Sequence, residues 1–177
     1  MGLSFCYQDK HAYYVPINHK EGKNVALDNV QNILNPIFQN AEIKKVAQNA
    51  KFDLNVLARH GISVAPIAED TLIGDFISDP EGKHNLSVLS EKFLHHTPIE
   101  FSDTVEKGQT FADVPIEKAT EYAAEDAWLV FMLVPHIQEQ IKKANLEKVY
   151  YDIELPLIPV LSNCLLYTSP SPRDKTV

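Results

Sequence analysis

The spacing of apolar residues changes several times along the chain, and each spacing predicts an element. Gly2 to Tyr7 alternates large apolar and small residues. After Gln8-Asp9-Lys10 comes a second β-rich run, Ala12 to Ile17, so the opening predicts a hairpin. His19 to Asn24 is polar and loop-like. Leu27, Val30, Ile33, Leu34 and Ile37 then fall at steps of three and four, which predicts a helix that Pro36 bends or ends. Ile43 to Ala47 predicts a short strand. Asp53 to His60 predicts a helix stopped by Gly61. Asp70 to Ser78 predicts another, ended by Asp79-Pro80-Glu81-Gly82. Asn85 can cap a helix over Leu86–Leu94 that turns Leu86, Leu89, Phe93 and Leu94 inward. Thr97 to Val114 has no period. Pro115 stands at a helix start, and Ile116–Leu133 is strongly helical. Pro135 interrupts it, and His136–Asn145 resumes. Val149–Leu161 carries a last apolar helical pattern. The chain opens on an apparent strand with no leader before it, so the start is expected to be cut.

The 177 residues are 45% hydrophobic and 23% charged, a balance that excludes a disordered tail, a collagen-like repeat and a small disulfide scaffold. Apolar runs stay below the ~18 residues that span a bilayer, so no membrane partner is expected. Sixteen Lys and Arg stand against 24 Asp and Glu, a net charge of −8. Such a chain repels phosphate, so work on nucleic acid would need metal ions or a neighbouring basic domain. Cys6 and Cys164 lie far apart in no ligand pattern, which fits a reducing cytosol. His84, His95 and His96 lack the spacing and partners of a zinc site.

Two clusters carry candidate chemistry. Gln48-Asn49-Ala50-Lys51-Phe52-Asp53 lies at a strand-to-helix junction, where open α/β sheets place ligands. Taken alone, Asp53 reads better as the cap of the helix after it. Tyr122-Ala123-Ala124-Glu125-Asp126 lies inside a helix. Tyr122 and Asp126, at i and i+4, share a face, and Glu125 is expected to point off that face to solvent. Taken alone, Tyr122 reads better as a core aromatic and Asp126 as a surface acid.

Together the clusters resemble the second and third motifs of the 3′–5′ proofreading exonuclease of family A DNA polymerases, the bacterial DNA polymerase I group. These are Asn-x-x-x-Asp (Asn49, Asp53) and Tyr-x-x-x-Asp (Tyr122, Asp126). The resemblance also takes in Gly2–Phe5, Ala12–Pro16, Asp70-Thr71, Gly82–His84, Leu86–Leu89 and Glu154–Leu161, and so runs from Gly2 to about Ser162. It implies an α/β, ribonuclease H-like fold: a mixed sheet flanked by helices, with Leu3, Phe5, Val15 and Val46 on buried strands and the N-terminal strand missing. It implies two-metal hydrolysis with Mg²⁺ or Mn²⁺. Asp126 would bind one metal directly and Asp53 the second through water, while the Tyr122 hydroxyl orients the attacking water. Gln48, Asn49 and Phe52 would border the bound strand end. Lys83 would meet phosphate, and Phe101 would make apolar contact with the single strand. The implied partners are a single-stranded 3′ end of a DNA primer and the polymerase domain of the same parent chain, in a bacterial cytoplasm.

The family's first motif, Asp-x-Glu, should precede Gly2. Asp79-Pro80-Glu81 sits in a turn, and the two acids of Asp152-Ile153-Glu154 diverge on a helix; neither replaces it. The expected organisation is a partial exonuclease domain over 1–148, the start of a connection to a polymerase domain over 149–163, and a non-native tail over 164–177. That tail resembles the translation of a sequencing-library adapter. The parent is expected to be an active proofreader, and the fragment alone to be inactive. Two other readings are a ribonuclease D-like 3′–5′ exoribonuclease and a non-catalytic strand-binding domain.

Overall fold

The computed structural model describes residues 2–64 and 66–167. Strands β1 (Gly2–Gln8) and β2 (His11–Pro16) form an antiparallel hairpin with Leu3 opposite Val15 and Phe5 opposite Tyr13. Helix α1 (Leu27–Gln39) follows, and then β3 (Lys45–Ala47), α2 (Ala50–Arg59) and β4 (Ile67–Asp70). β4 lies parallel to β3, with Ala47 opposite Asp70. Next come α3 (Thr71–Ser78), α4 (Leu86–Leu94) and a single turn, α5 (Phe101–Thr104). The long α6 (Ile116–Lys143) leads through α7 (Glu147–Val149) and a π-helical turn at Tyr150–Glu154 into α8 (Leu155–Tyr167).

The fold is α/β as expected, but the strands divide differently. Both parallel and antiparallel pairs occur, in two separate two-stranded sheets rather than one mixed sheet. Leu3, Phe5, Val15 and Val46 are on strands but only half buried. Among the described residues each strand has a single hydrogen-bonded strand neighbour.

Helix α6 organises the rest. It packs against α3, α4, both hairpin strands and β3. Leu129, Leu133, Ile137 and Ile141 are fully buried along it. That apolar stripe lies on both sides of Pro135 and holds the helix continuous through it, so the expected interruption does not occur. One missing backbone hydrogen bond is outweighed by burial on either flank. Pro36 likewise sits inside α1, which runs on to Gln39.

The main core joins Ala50, Ile137, Ile141, Tyr150, Leu155 and Ile158. Residues of the 149–163 segment therefore pack into the same core as α2 and α6. A second cluster, Val30, Leu57 and Ile62, seats the hairpin through Leu3 and Val15. α8 continues through Cys164 to Tyr167, and residues 168–177 of the expected tail lie outside the described residues.

Candidate active site

The first cluster is built where β3 ends. Gln48 and Asn49 follow that strand directly, and Asn49 takes a left-handed conformation (φ 64°) that turns the chain into α2. The helix starts at Ala50, three residues earlier than the sequence predicts, so Asp53 lies within its first turn instead of capping it. The capping is done by Asp70, at the end of the neighbouring strand. Its carboxylate is fully buried and accepts from Asn49 N (3.2 Å) and Ala50 N (2.7 Å) of α2, and from Leu72 N (3.0 Å) and Ile73 N (3.2 Å) of α3. One side chain thus satisfies unpaired donors at two helix starts. The buried Tyr150 hydroxyl secures the Asp70 backbone in turn, accepting from its N–H (2.8 Å) and donating to its carbonyl (3.0 Å).

Gln48 is held from both ends. Its amide donates to the His84 carbonyl (2.7 Å), and its oxygen accepts from the Thr71 hydroxyl. The loop carrying His84 is fixed by a buried acid, since His84 Nδ1 lies 2.6 Å from Asp75 and Lys92 Nζ lies 3.1 Å from the same carboxylate. Lys83, beside His84, is exposed and makes no ion pair among the described residues. Phe52 is 65% exposed on α2. Asp53 reaches the surface, yet the protein around it withholds enough solvent to raise its carboxyl to about 6, helped by the negative charge of Asp70.

The second cluster lies on α6. Asp126 is half buried, and burial pushes its carboxyl up to about 6. The Tyr122 hydroxyl offsets part of that shift, while the charges of Glu125 and Glu100 add to it. Burial and the charge of Asp126 drive the Tyr122 phenol well above its ordinary range, so it stays a protonated hydrogen-bond donor. Phe101 meets the Tyr122 ring edge-on at 6.0 Å and stacks with Phe111 at 6.3 Å. It is 52% exposed, so much of the ring remains open.

Glu125 does not point to solvent as the sequence predicts. Its carboxylate lies 2.8 Å from His96 Nε2 and accepts from Ile99 N–H at 2.7 Å. The helix face beside the candidate site is covered by the segment leading into Phe101, which has no period to announce it. Phe111 lacked a signal of its own; Asp70 had the resemblance at Asp70-Thr71 and the cap pattern ahead of Leu72-Ile73, neither of which shows that it closes two helix starts.

The predicted residues thus fall into two groups. Tyr122, Asp126 and Phe101 share one neighbourhood. Gln48, Asn49 and Asp53 gather around Asp70, with Lys83 on the adjoining loop. Asp70 is the charged neighbour of Asp53, whereas Glu125 and Glu100 are those of Asp126. α6, which carries Tyr122 and Asp126, also packs on β3, the strand that leads into Gln48 and Asn49. The donor chemistry suits a hard divalent cation, because both acids offer oxygen and both carry negative charge crowded by like charge. The donor number falls short: among the described residues no three His, Cys, Asp or Glu side chains converge as a metal cage.

A family model described as 3′–5′ exonuclease matches residues 2–142. The DNA polymerase I of Synechocystis sp. is 32% identical over 165 residues, covering 92% of this chain and 17% of that protein. The DNA polymerase I of Pseudomonas aeruginosa is 34% identical over 172 residues, covering 92% and 19%. The chain therefore spans less than a fifth of the length of these relatives. Among solved structures, Brucella melitensis NrnC superposes with a TM-score of 0.70 at 18% identity, covering 96% of this chain and 78% of that one. NrnC with bound Mg²⁺ gives 0.64 at 20% identity, covering 90% and 73%. The fold is of the ribonuclease H-like exonuclease type.

Proposed function

The chain belongs to the 3′–5′ exonuclease family of the DNA polymerase A type, and from that premise we propose that it contributes most of a proofreading site acting on the single-stranded 3′ end of DNA. The observation that carries this reading is the Tyr122–Asp126 pair on α6, with the open Phe101 ring beside it. The parent would be a DNA polymerase I, whose polymerase domain holds the duplex that an acidic chain repels.

Asp126 and Asp53 would hold the divalent ions, Mg²⁺ or Mn²⁺, and an Asp-x-Glu pair from a further strand would complete the ligand set. Bound there, the ions would supply charge neutralisation at the attacking and leaving oxygens of an in-line displacement. The chain's own residues do the positioning. Tyr122 keeps its proton, which it donates to Asp126 in this structure, and would turn it to the attacking water once Asp126 holds an ion. Phe101 and Phe52 offer open faces on which terminal bases can stack. Asn49, its side chain free of any cap bond, borders the strand end, while the fixed Gln48 sets the wall behind it. Lys83 is free to meet a phosphate.

The test is binding without chemistry. Labelled single-stranded oligonucleotides of one sequence, as DNA and as RNA, are titrated with the 177-residue chain in Mg²⁺, the cation an acidic chain needs in order to meet phosphate, and followed by anisotropy. The proposal predicts that DNA binds and that Phe101→Ala weakens it. Tighter hold on RNA would move the substrate to the exoribonuclease reading, and binding indifferent to Phe101 would refute the placement of the strand.

A further inference from the structure

We propose that Glu125 is a positioning residue of this site: its two carboxylate oxygens clasp the segment 96–99 and thereby hold Phe101 against Tyr122. The role of Phe101 rests on the function proposed above; the clasp itself does not.

The geometry is local and directional. Glu125 sits one residue before Asp126 on α6, only partly exposed, with one oxygen 2.8 Å from His96 Nε2 and the other taking the Ile99 N–H at 2.7 Å. Two bonds from one rigid helix fix both the place and the direction of the passing segment. Two residues after Ile99 the chain reaches Phe101, whose ring meets Tyr122 at 6.0 Å. Between the clasp and that ring contact there is only Glu100, so little slack remains. His96 is backed by Trp128, one turn further along α6, with ring centroids 5.6 Å apart and nearly perpendicular. Trp128 is itself tied to the hairpin tip, its indole N–H donating to Asp9 at 3.0 Å. Release of Glu125 therefore frees a segment whose other end carries the strand-binding ring.

Three variants of the full chain test this. Glu125→Ala removes both acceptors. Glu125→Asp keeps the charge but shortens the reach. Glu125→Gln keeps the reach, and it can serve both partners if His96 presents its unprotonated nitrogen. Amide exchange is read across residues 97–104, with folding checked by circular dichroism. Glu125→Ala and Glu125→Asp should speed exchange about tenfold or more, the scale of a lost charge-assisted hydrogen bond, at Asp103, whose N–H bonds to the Glu100 carbonyl, and not at Ile99 alone. Glu125→Gln should restore it. In oligodeoxynucleotide binding, Glu125→Ala and Phe101→Ala should each weaken affinity by roughly tenfold, and the double variant should be no weaker than Phe101→Ala.

Faster exchange confined to Ile99, a Glu125→Gln variant as loose as Glu125→Ala, or fully additive losses in binding would each overturn the proposal. If the parent chain bound no DNA, the strand reading would fall, and the exchange data would still decide the clasp.

Discussion

Replacing Asp126 by Asn should make the isolated chain more stable at neutral pH, although it removes a residue assigned to the reaction. The Asp126 carboxyl is raised from an ordinary 3.8 to about 6 by burial and by the charges of Glu125 and Glu100. Moving that carboxyl from 3.8 to about 6 is worth on the order of 3 kcal/mol. The sign follows from which state binds the proton more tightly. Between pH 4 and 6 the folded chain retains the Asp126 proton while the unfolded chain releases it, so stability falls as pH rises through that window. Above about 6 both states are ionised and the folded state carries the whole penalty. Asn has nearly the same shape, gives the Tyr122 hydroxyl an acceptor and carries no charge. The variant should therefore match the parent near pH 4 and exceed it by about 2–3 kcal/mol at pH 7.5. Urea unfolding followed by far-ultraviolet circular dichroism at pH 4.5, 6 and 7.5 measures the difference. A variant no more stable than the parent at pH 7.5, or one with the same pH profile, would refute the reasoning.

Other residues give independent expectations. Tyr150→Phe strands the buried Asp70 N–H and carbonyl, so urea unfolding should show a loss of about 2–3 kcal/mol; an unchanged midpoint would remove Tyr150 as their partner. At Gly74 a Cβ would lie 2.3 Å from Ile137 Cγ2, so Gly74→Ala should push α3 off α6 and lower stability by about 1–3 kcal/mol, measured the same way. Lys83→Ala should reduce the salt dependence of single-strand binding by about 0.7 in log–log slope, one phosphate contact; an unaltered slope would take Lys83 out of the strand path.

Elements with a strong local period were legible in the sequence. The hairpin shows in the alternation of Gly2 to Tyr7, and α4 shows in its cap, with Asn85 accepting from Val88 N–H. Tyr122 and Asp126 were legible as a pair because an i, i+4 spacing needs only the helix. What was hidden depends on contacts between distant segments. β4 is four residues long and ends in a cap, so Asp70 read as the first residue of a helix. It exists because β3 pairs with it and because its last carboxylate closes two helix starts. Pro135 read as a break, since the sequence does not reveal that Leu133 and Ile137 would be buried on either side. Glu125 read as solvated because its partners, His96 and Ile99 N–H, lie past the end of α4, 26 or more residues upstream.

The most direct test of the central claim is hydrolysis of end-labelled single-stranded DNA in Mg²⁺ or Mn²⁺, by the 177-residue chain and by a version extended upstream with a strand carrying Asp-x-Glu. The account predicts that the short chain leaves the DNA intact. The extended chain should release 5′-mononucleotides from the 3′ end and lose that activity on Asp126→Ala. Efficient shortening by the short chain that disappears on Asp126→Ala, or an extended chain that stays inert, would contradict it.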